Sequence, residues 1–98
     1  MRLQVNQQID LGTVQFGTTK EFEVSVKNTT PNRLNIQVTP RCGSCTKLVS
    51  SPAYIEPNGE IMIKLAFTPT KQGEQSKLFD IRVDGIIEST ITFKASVL

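Results

Sequence analysis

The chain has 98 residues, 11 Lys and Arg against 9 Asp and Glu, no His and no Trp, and a formal net charge of +2. One domain, residues 1–98, is expected at this length, with a core filled by aliphatic residues together with Phe16, Phe22, Phe67, Phe79, Phe93 and Tyr54. Charges of both signs are interspersed without a basic run, which argues against nucleic acid as a partner, and no apolar run approaches membrane-spanning length.

Residues 1–8 turn polar too early for a secretory signal and read as an N-terminal arm, either mobile or swapped onto a neighbour. With no export signal in view, the expected location is the cytoplasm, or the virion if a phage encodes the chain. Residues 9–14 form a first predicted strand, ended by Phe16-Gly17-Thr18. Residues 20–27 alternate cleanly, with Phe22, Val24 and Val26 on one face and Glu21, Glu23, Ser25 and Lys27 on the other. The run Asn28-Thr29-Thr30-Pro31-Asn32 is a turn, and residues 33–39 follow with Leu34, Ile36 and Val38 inward. Residues 40–57 are irregular in pattern and read as a loop with one short strand at 47–50.

Pro57-Asn58-Gly59 then introduces the strongest strand, residues 60–68, with Ile61, Ile63, Leu65 and Phe67 buried and Met62 and Lys64 opposite. After a turn at 71–74, residues 76–83 place Phe79, Ile81 and Val83 inward. Asp84-Gly85 is the two-residue type I′ signal that closes a hairpin with residues 87–97, whose inward set is Ser89, Ile91, Phe93, Ala95 and Val97. About seven short strands with turn signals at near-regular spacing specify an all-β, immunoglobulin-like antiparallel β-sandwich.

The order of these motifs carries a resemblance. Asp10-Leu11-Gly12-Thr13-Val14, Gly17, Val26-Lys27-Asn28-Thr29, Leu34-Asn35-Ile36, the Cys42-Gly43-Ser44-Cys45-Thr46 turn and Ile55-Glu56-Pro57-Asn58-Gly59-Glu60 stand in sequence. Over residues 9–83 the chain resembles the bacterial immunoglobulin-like domains of the ASH, major sperm protein and Hydin superfamily, in the group that usually carries Cys-Gly-Cys where this chain has Cys42-Gly43-Ser44-Cys45. The resemblance implies a noncatalytic binding or structural module in which the cysteine turn is structural.

Cys42 and Cys45 are the reactive candidates, and three readings compete. A redox pair sits at a helix N-terminus beside a βαβ pattern, whereas this pair follows a strand and Pro40 in an all-β chain. A zinc site needs four ligands, and one Cys-x-x-Cys in a chain without His supplies two, leaving carboxylates or a second subunit to complete it. The structural reading is that Gly43 permits a tight turn and the thiols are either closed as a short disulfide or left as small buried side chains. Nucleophilic catalysis lacks the His base it usually requires, and Glu21, Glu23, Glu60, Asp80 and Glu88 fall on faces expected to be solvated. No catalytic residue, metal or cofactor is assigned. Asn28-Thr29-Thr30 matches an N-glycosylation acceptor and reads as a chance match within a turn.

Surface apolar residues are the remaining clue. Met62, Leu78 and Ile86 are outward by alternation, and Leu48, Val49, Tyr54 and Ile55 lie in or beside the long cysteine loop. If several converge they form a protein-contact patch, whereas Tyr54 and Ile55 could instead fold back to cap the open end of the sandwich. Unpaired sheet edges offer a second route to a partner. The expected function is a noncatalytic structural or protein-interaction module within a larger assembly, such as a phage decoration or accessory protein, with capsid or tail proteins or further copies of the chain as partners. The alternatives are an immunoglobulin-like domain of a multidomain bacterial surface or cytoskeletal protein, and a redox or metal-binding protein built on Cys42 and Cys45. Carbohydrate binding would want exposed aromatics, for which Tyr54 is the candidate.

Overall fold

A computed structural model describes residues 2–98. Within them the chain forms β1 (Leu3–Val5), β2 (Gln8–Val14), β3 (Lys20–Asn28), β4 (Leu34–Pro40), β5 (Thr46–Ser50), β6 (Tyr54–Ile55), β7 (Glu60–Phe67), β8 (Gly73–Val83) and β9 (Ile86–Val97). One sheet has the order β1-β3-β7-β5 and the other β2-β9-β8-β4-β6. The two pack face to face as an immunoglobulin-like β-sandwich.

Period-two alternation explains the core. Val24 and Val26 of β3 and Ile63, Leu65 and Phe67 of β7 face inward from one sheet; Ile36 and Val38, Phe79, Ile81 and Val83, and Ile91, Phe93, Ala95 and Val97 face them from the other. Phe93 is the hub, its ring 5.0 Å from that of Phe22, 5.3 Å from Phe67 and 6.3 Å from Phe79. Each such side chain taken from water contributes about 1.5–3 kcal/mol. Of the six aromatics expected in the core, Phe67, Phe79 and Phe93 are fully buried and Phe22 partly so. Phe16 and Tyr54 are exposed, because Phe16 stands in the turn after β2 and Tyr54 has outward parity on a two-residue edge strand. The Asp84-Gly85 hairpin has φ values of 52° and 82°, the type I′ geometry its sequence specifies.

Two regions differ from the sequence expectation. Met1 lies outside the described residues, but the rest of the expected arm is ordered: Leu3–Val5 pairs antiparallel with β3, Leu3 opposite Asn28 and Val5 opposite Val26, with Leu3 buried. Asn6 then turns the chain, its Oδ1 accepting the Gln8 N–H at 3.1 Å, and β2 joins the opposite sheet parallel to β9. Arg2 ties the two sheets together across this switch. Its Nε and Nη2 donate to Glu88 Oε1 at 3.1 and 2.8 Å, and its backbone N–H donates to Oε2 at 3.2 Å. In the long loop, the expected strand appears as β5, and β6 is a second strand paired with β4 that the pattern did not show.

Candidate functional site

The cysteine turn is where the chain crosses between sheets. β4 in one sheet ends at Pro40, β5 in the other starts at Thr46, and Cys42 and Cys45 are joined by a disulfide across a Cα separation of 5.5 Å. Hydrogen bonds fix both sides of the turn: the Arg41 N–H donates to the Leu78 carbonyl on β8, and the Thr68 N–H after β7 donates to the Cys45 carbonyl at 2.8 Å. Cys45 is buried, and no helix among the described residues offers its N-terminus to either sulfur. Gly43 does not have the conformational role expected of it. Its φ is not in the left-handed region and an added Cβ would meet nothing within 4 Å, so a larger residue fits there. Among the described residues no group of three or more His, Cys, Asp or Glu gathers as metal ligands would.

The surface apolar residues do not converge on one patch. Met62 projects from the outer face of the β7 sheet and Leu78 from that of the β8 sheet, so the two point away from each other. Ile86, 70% exposed, stands at the hairpin tip, and Val49 sits at the irregularity in β5 pairing. Leu48, opposite Leu65, turns inward and packs against the core. The cap divides: Ile55 is fully buried, and Tyr54 stays outside with the Arg33 guanidinium 3.3 Å from its ring centroid. That cation covers a face of the one aromatic considered for stacking on a sugar.

A more coherent feature lies at the sheet switch. In β3 the Asn28 N–H donates to the Gly59 carbonyl on the β7 side, while the next N–H, that of Thr29, donates to the Arg2 carbonyl on the β1 side. Backbone polarity alternates along a strand, so Glu21, Glu23 and Ser25 also present their N–H and C=O groups to the β1 side. β1 covers only Val26–Asn28 before Asn6 diverts the chain, and among the described residues no other strand takes its place. The uncovered stretch borders an open groove of about 700 Å³. Val5, Val24 and Ile9 supply its apolar lining, and Glu23, Ser25 and Lys27 are among its polar walls.

Residues 1–96 match the model of the HYDIN/CFA65/VesB-like Ig-like domain family. The chain belongs to that family. No curated protein matches it by sequence. Among solved structures it is similar to the ASH/PapD-like domain 7 of human CEP192, with a TM-score of 0.79, 10% identity, and coverage of 99% of this chain and 85% of that one. It is also similar to the Vibrio cholerae VesB protease, with a TM-score of 0.77, 13% identity, and coverage of 97% of this chain and 32% of that one. The Pseudomonas aeruginosa CupB2 chaperone gives a TM-score of 0.73 at 13% identity, covering 94% of this chain and 53% of that one. These likenesses are of fold, and the chain spans about a third of VesB and about half of CupB2.

Two polar residues of this Ig-like domain matter more than the sequence suggested. Asn28 is fully buried; its Nδ2 donates toward the carbonyls of Asn32, Ile55 and Glu56, and its Oδ1 accepts from the Thr30 N–H and hydroxyl. Its parity was the available signal, since Phe22, Val24, Val26 and Asn28 share one face of β3. Asp80, expected on a solvated face, is 5% exposed. Arg41 folds over it as a fork, Nε to Oδ2 and Nη2 to Oδ1 both at 3.0 Å, and the Thr90 hydroxyl donates to Oδ1 at 2.8 Å. The Arg41 hydrogen bonds hold the Asp80 carboxyl below the usual range against the opposing effect of burial. Those of Arg2 do the same for Glu88. Both clusters are internally satisfied ion pairs that position strands.

Proposed function

We propose that this domain is a noncatalytic protein-contact module that works within a larger assembly. The observation that carries the reading is the uncovered edge of β3, where exposed backbone donors and acceptors border an open groove with Val5, Ile9 and Val24 among otherwise polar lining residues. A decoration or accessory role on a phage particle is supported by domain size and by analogy with small sandwiches in assemblies. In that setting the domain sits on the virion, outside the reducing cytoplasm, where a Cys42–Cys45 disulfide persists. A second setting, one domain of a multidomain bacterial surface or cytoskeletal protein, is favoured by the lengths of VesB and CupB2, of which this chain spans only part. The redox or metal reading is the weaker one: the two sulfurs are bonded at a crossover whose two sides are already fixed by backbone hydrogen bonds.

Light scattering on the purified chain, with and without reductant and chelator, tests the reading. The module reading expects one unchanged monomeric mass in every condition. A discrete oligomer that dissociates only on reduction or chelation would overturn it and place Cys42 and Cys45 at the centre of the function.

A further inference from the structure

The free edge of β3 is selective about what can dock on it. Resting on the module reading above, we propose that the edge accepts one extended segment of a partner protein, about six residues long, in which apolar side chains alternate with Lys or Arg. The segment adds antiparallel to β3 opposite residues 20–25, end-on to β1.

β1 already shows how a strand sits on this edge. Leu3 and Val5 point inward and Gln4 points outward, opposite Lys27. Extending the same register, side chains opposite Phe22 and Val24 face the seam between the sheets. There Val5, Ile9, Leu11 and Phe22 are only partly buried against the core, so apolar side chains would complete it. Positions opposite Glu21 and Glu23 point outward. Both carboxylates stand directly on the edge, and the nearest cation, Lys64, is on the far side of β3, 3.5 Å from Glu21 and opposite Glu23 in register. Direct cross-strand neighbours on an incoming strand therefore meet two acidic side chains, which favours basic partners.

The same pair of carboxylates argues against a second copy as the occupant. Two β3 edges meeting antiparallel about a twofold axis at Phe22 would set Glu21 of each copy opposite Glu23 of the other, and like charges directly opposite are destabilising. The backbone requirement is equally specific. The N–H groups of Glu21, Glu23 and Ser25 face the free edge, so the docking strand must present free carbonyls and N–H groups at matching positions and cannot carry Pro there.

The test uses the full chain labelled with nitrogen-15 and three capped peptides of about seven residues: alternating Lys and Val, alternating Glu and Val, and the Lys–Val peptide with a central Pro. The Lys–Val peptide is expected to slow amide exchange at Glu21, Glu23 and Ser25 by tenfold or more at saturation, and the other two are expected to leave these amides unprotected. Glu23→Lys is expected to weaken binding of the Lys–Val peptide about tenfold while leaving the fold intact, at a small cost in stability from the like charge then set opposite Lys64. Ser25→Pro, which removes an N–H facing the groove and none of the ladder to β7, is expected to abolish it. Absence of binding at millimolar peptide, equal binding of the Glu–Val peptide, or protection confined to other strands would each overturn the proposal. So would concentration-dependent protection of the same three amides without peptide, which would make a second copy the occupant. Failure of the module reading appears instead in the reductant- and chelator-dependent mass, so the two failures are told apart.

Discussion

Replacing Asn28 with Ala removes the junction between the β3–β4 turn and the segment leading into β7. The amide has two hydrogens for three carbonyl oxygens, at 2.7 Å (Asn32), 3.1 Å (Ile55) and 3.2 Å (Glu56), so one hydrogen is shared; two further bonds reach Oδ1 from Thr30 at 2.9 and 2.7 Å. These partners also fix the amide orientation, since three acceptors gather at one end and two donors at the other. Four bonds at about 1 kcal/mol each, less some return of Thr30 to water, give a loss of about 3–4 kcal/mol. Against a total of about 5–15 kcal/mol for a domain, the urea midpoint falls by about 2–3 M. Asn28→Asp keeps the acceptor but aims a carboxylate at three carbonyls. Its folded-state pKa is expected to rise above the unfolded value, so the damage is largest at neutral pH and is relieved as pH falls. Urea unfolding of both variants at pH 7 and at about pH 4 is the assay. A loss below about 0.5 kcal/mol for the Ala variant, or native stability of the Asp variant at pH 7, would refute the account. The same burial means that the natively folded fraction secreted from a glycosylating host should carry no glycan at Asn28, which intact mass measures.

Ser89 is buried on the inward face of β9 with its hydroxyl unpartnered among the described residues, so Ser89→Ala should leave stability unchanged or raise it by up to about 1 kcal/mol; a clear loss in denaturant unfolding would show that the hydroxyl is bonded. Asp80 and Glu88 have folded-state pKa values below their ordinary ones, so their stabilisation is complete above the unfolded carboxylate range, about pH 4, and is lost as pH falls through that range toward the folded values. Asp80→Asn should therefore flatten part of the acid limb of stability against pH, and parallel curves for variant and parent would contradict the Arg41 fork. Replacing Cys42 with Ser and Cys45 with Ala should cost about 2 kcal/mol from loop-closure entropy for so short a loop, with the circular dichroism spectrum unchanged. Global unfolding of that variant at 25 °C would assign the disulfide a larger role than clamping the crossover.

What the sequence made legible follows from the range over which each feature is determined. β3, β4, β7, β8 and β9 each carry at least three inward residues at period two, a pattern long enough to be read locally, and the Asp84-Gly85 hairpin has a two-residue signature. β1 and β6 have three and two residues, too few for a period, and exist because a longer strand lies beside each to pair with. Exposure failed for the same reason at Asp80: alternation correctly places it on the outer face, but Arg41, from the turn beyond β4, folds over it, and no local pattern encodes that. Asn28 failed for a different reason. Its inward parity was visible, yet the acceptor motif and the turn composition around it drew the explanation outward. The groove is the least local of all, because it is the difference between a nine-residue strand and the three-residue neighbour that covers one end of it. Asn6 fixes that difference by turning the chain after Val5. A substitution there that let β1 continue along β3 would close the groove from within, which makes a polar turn residue in the groove's own lining a control point for the contact surface.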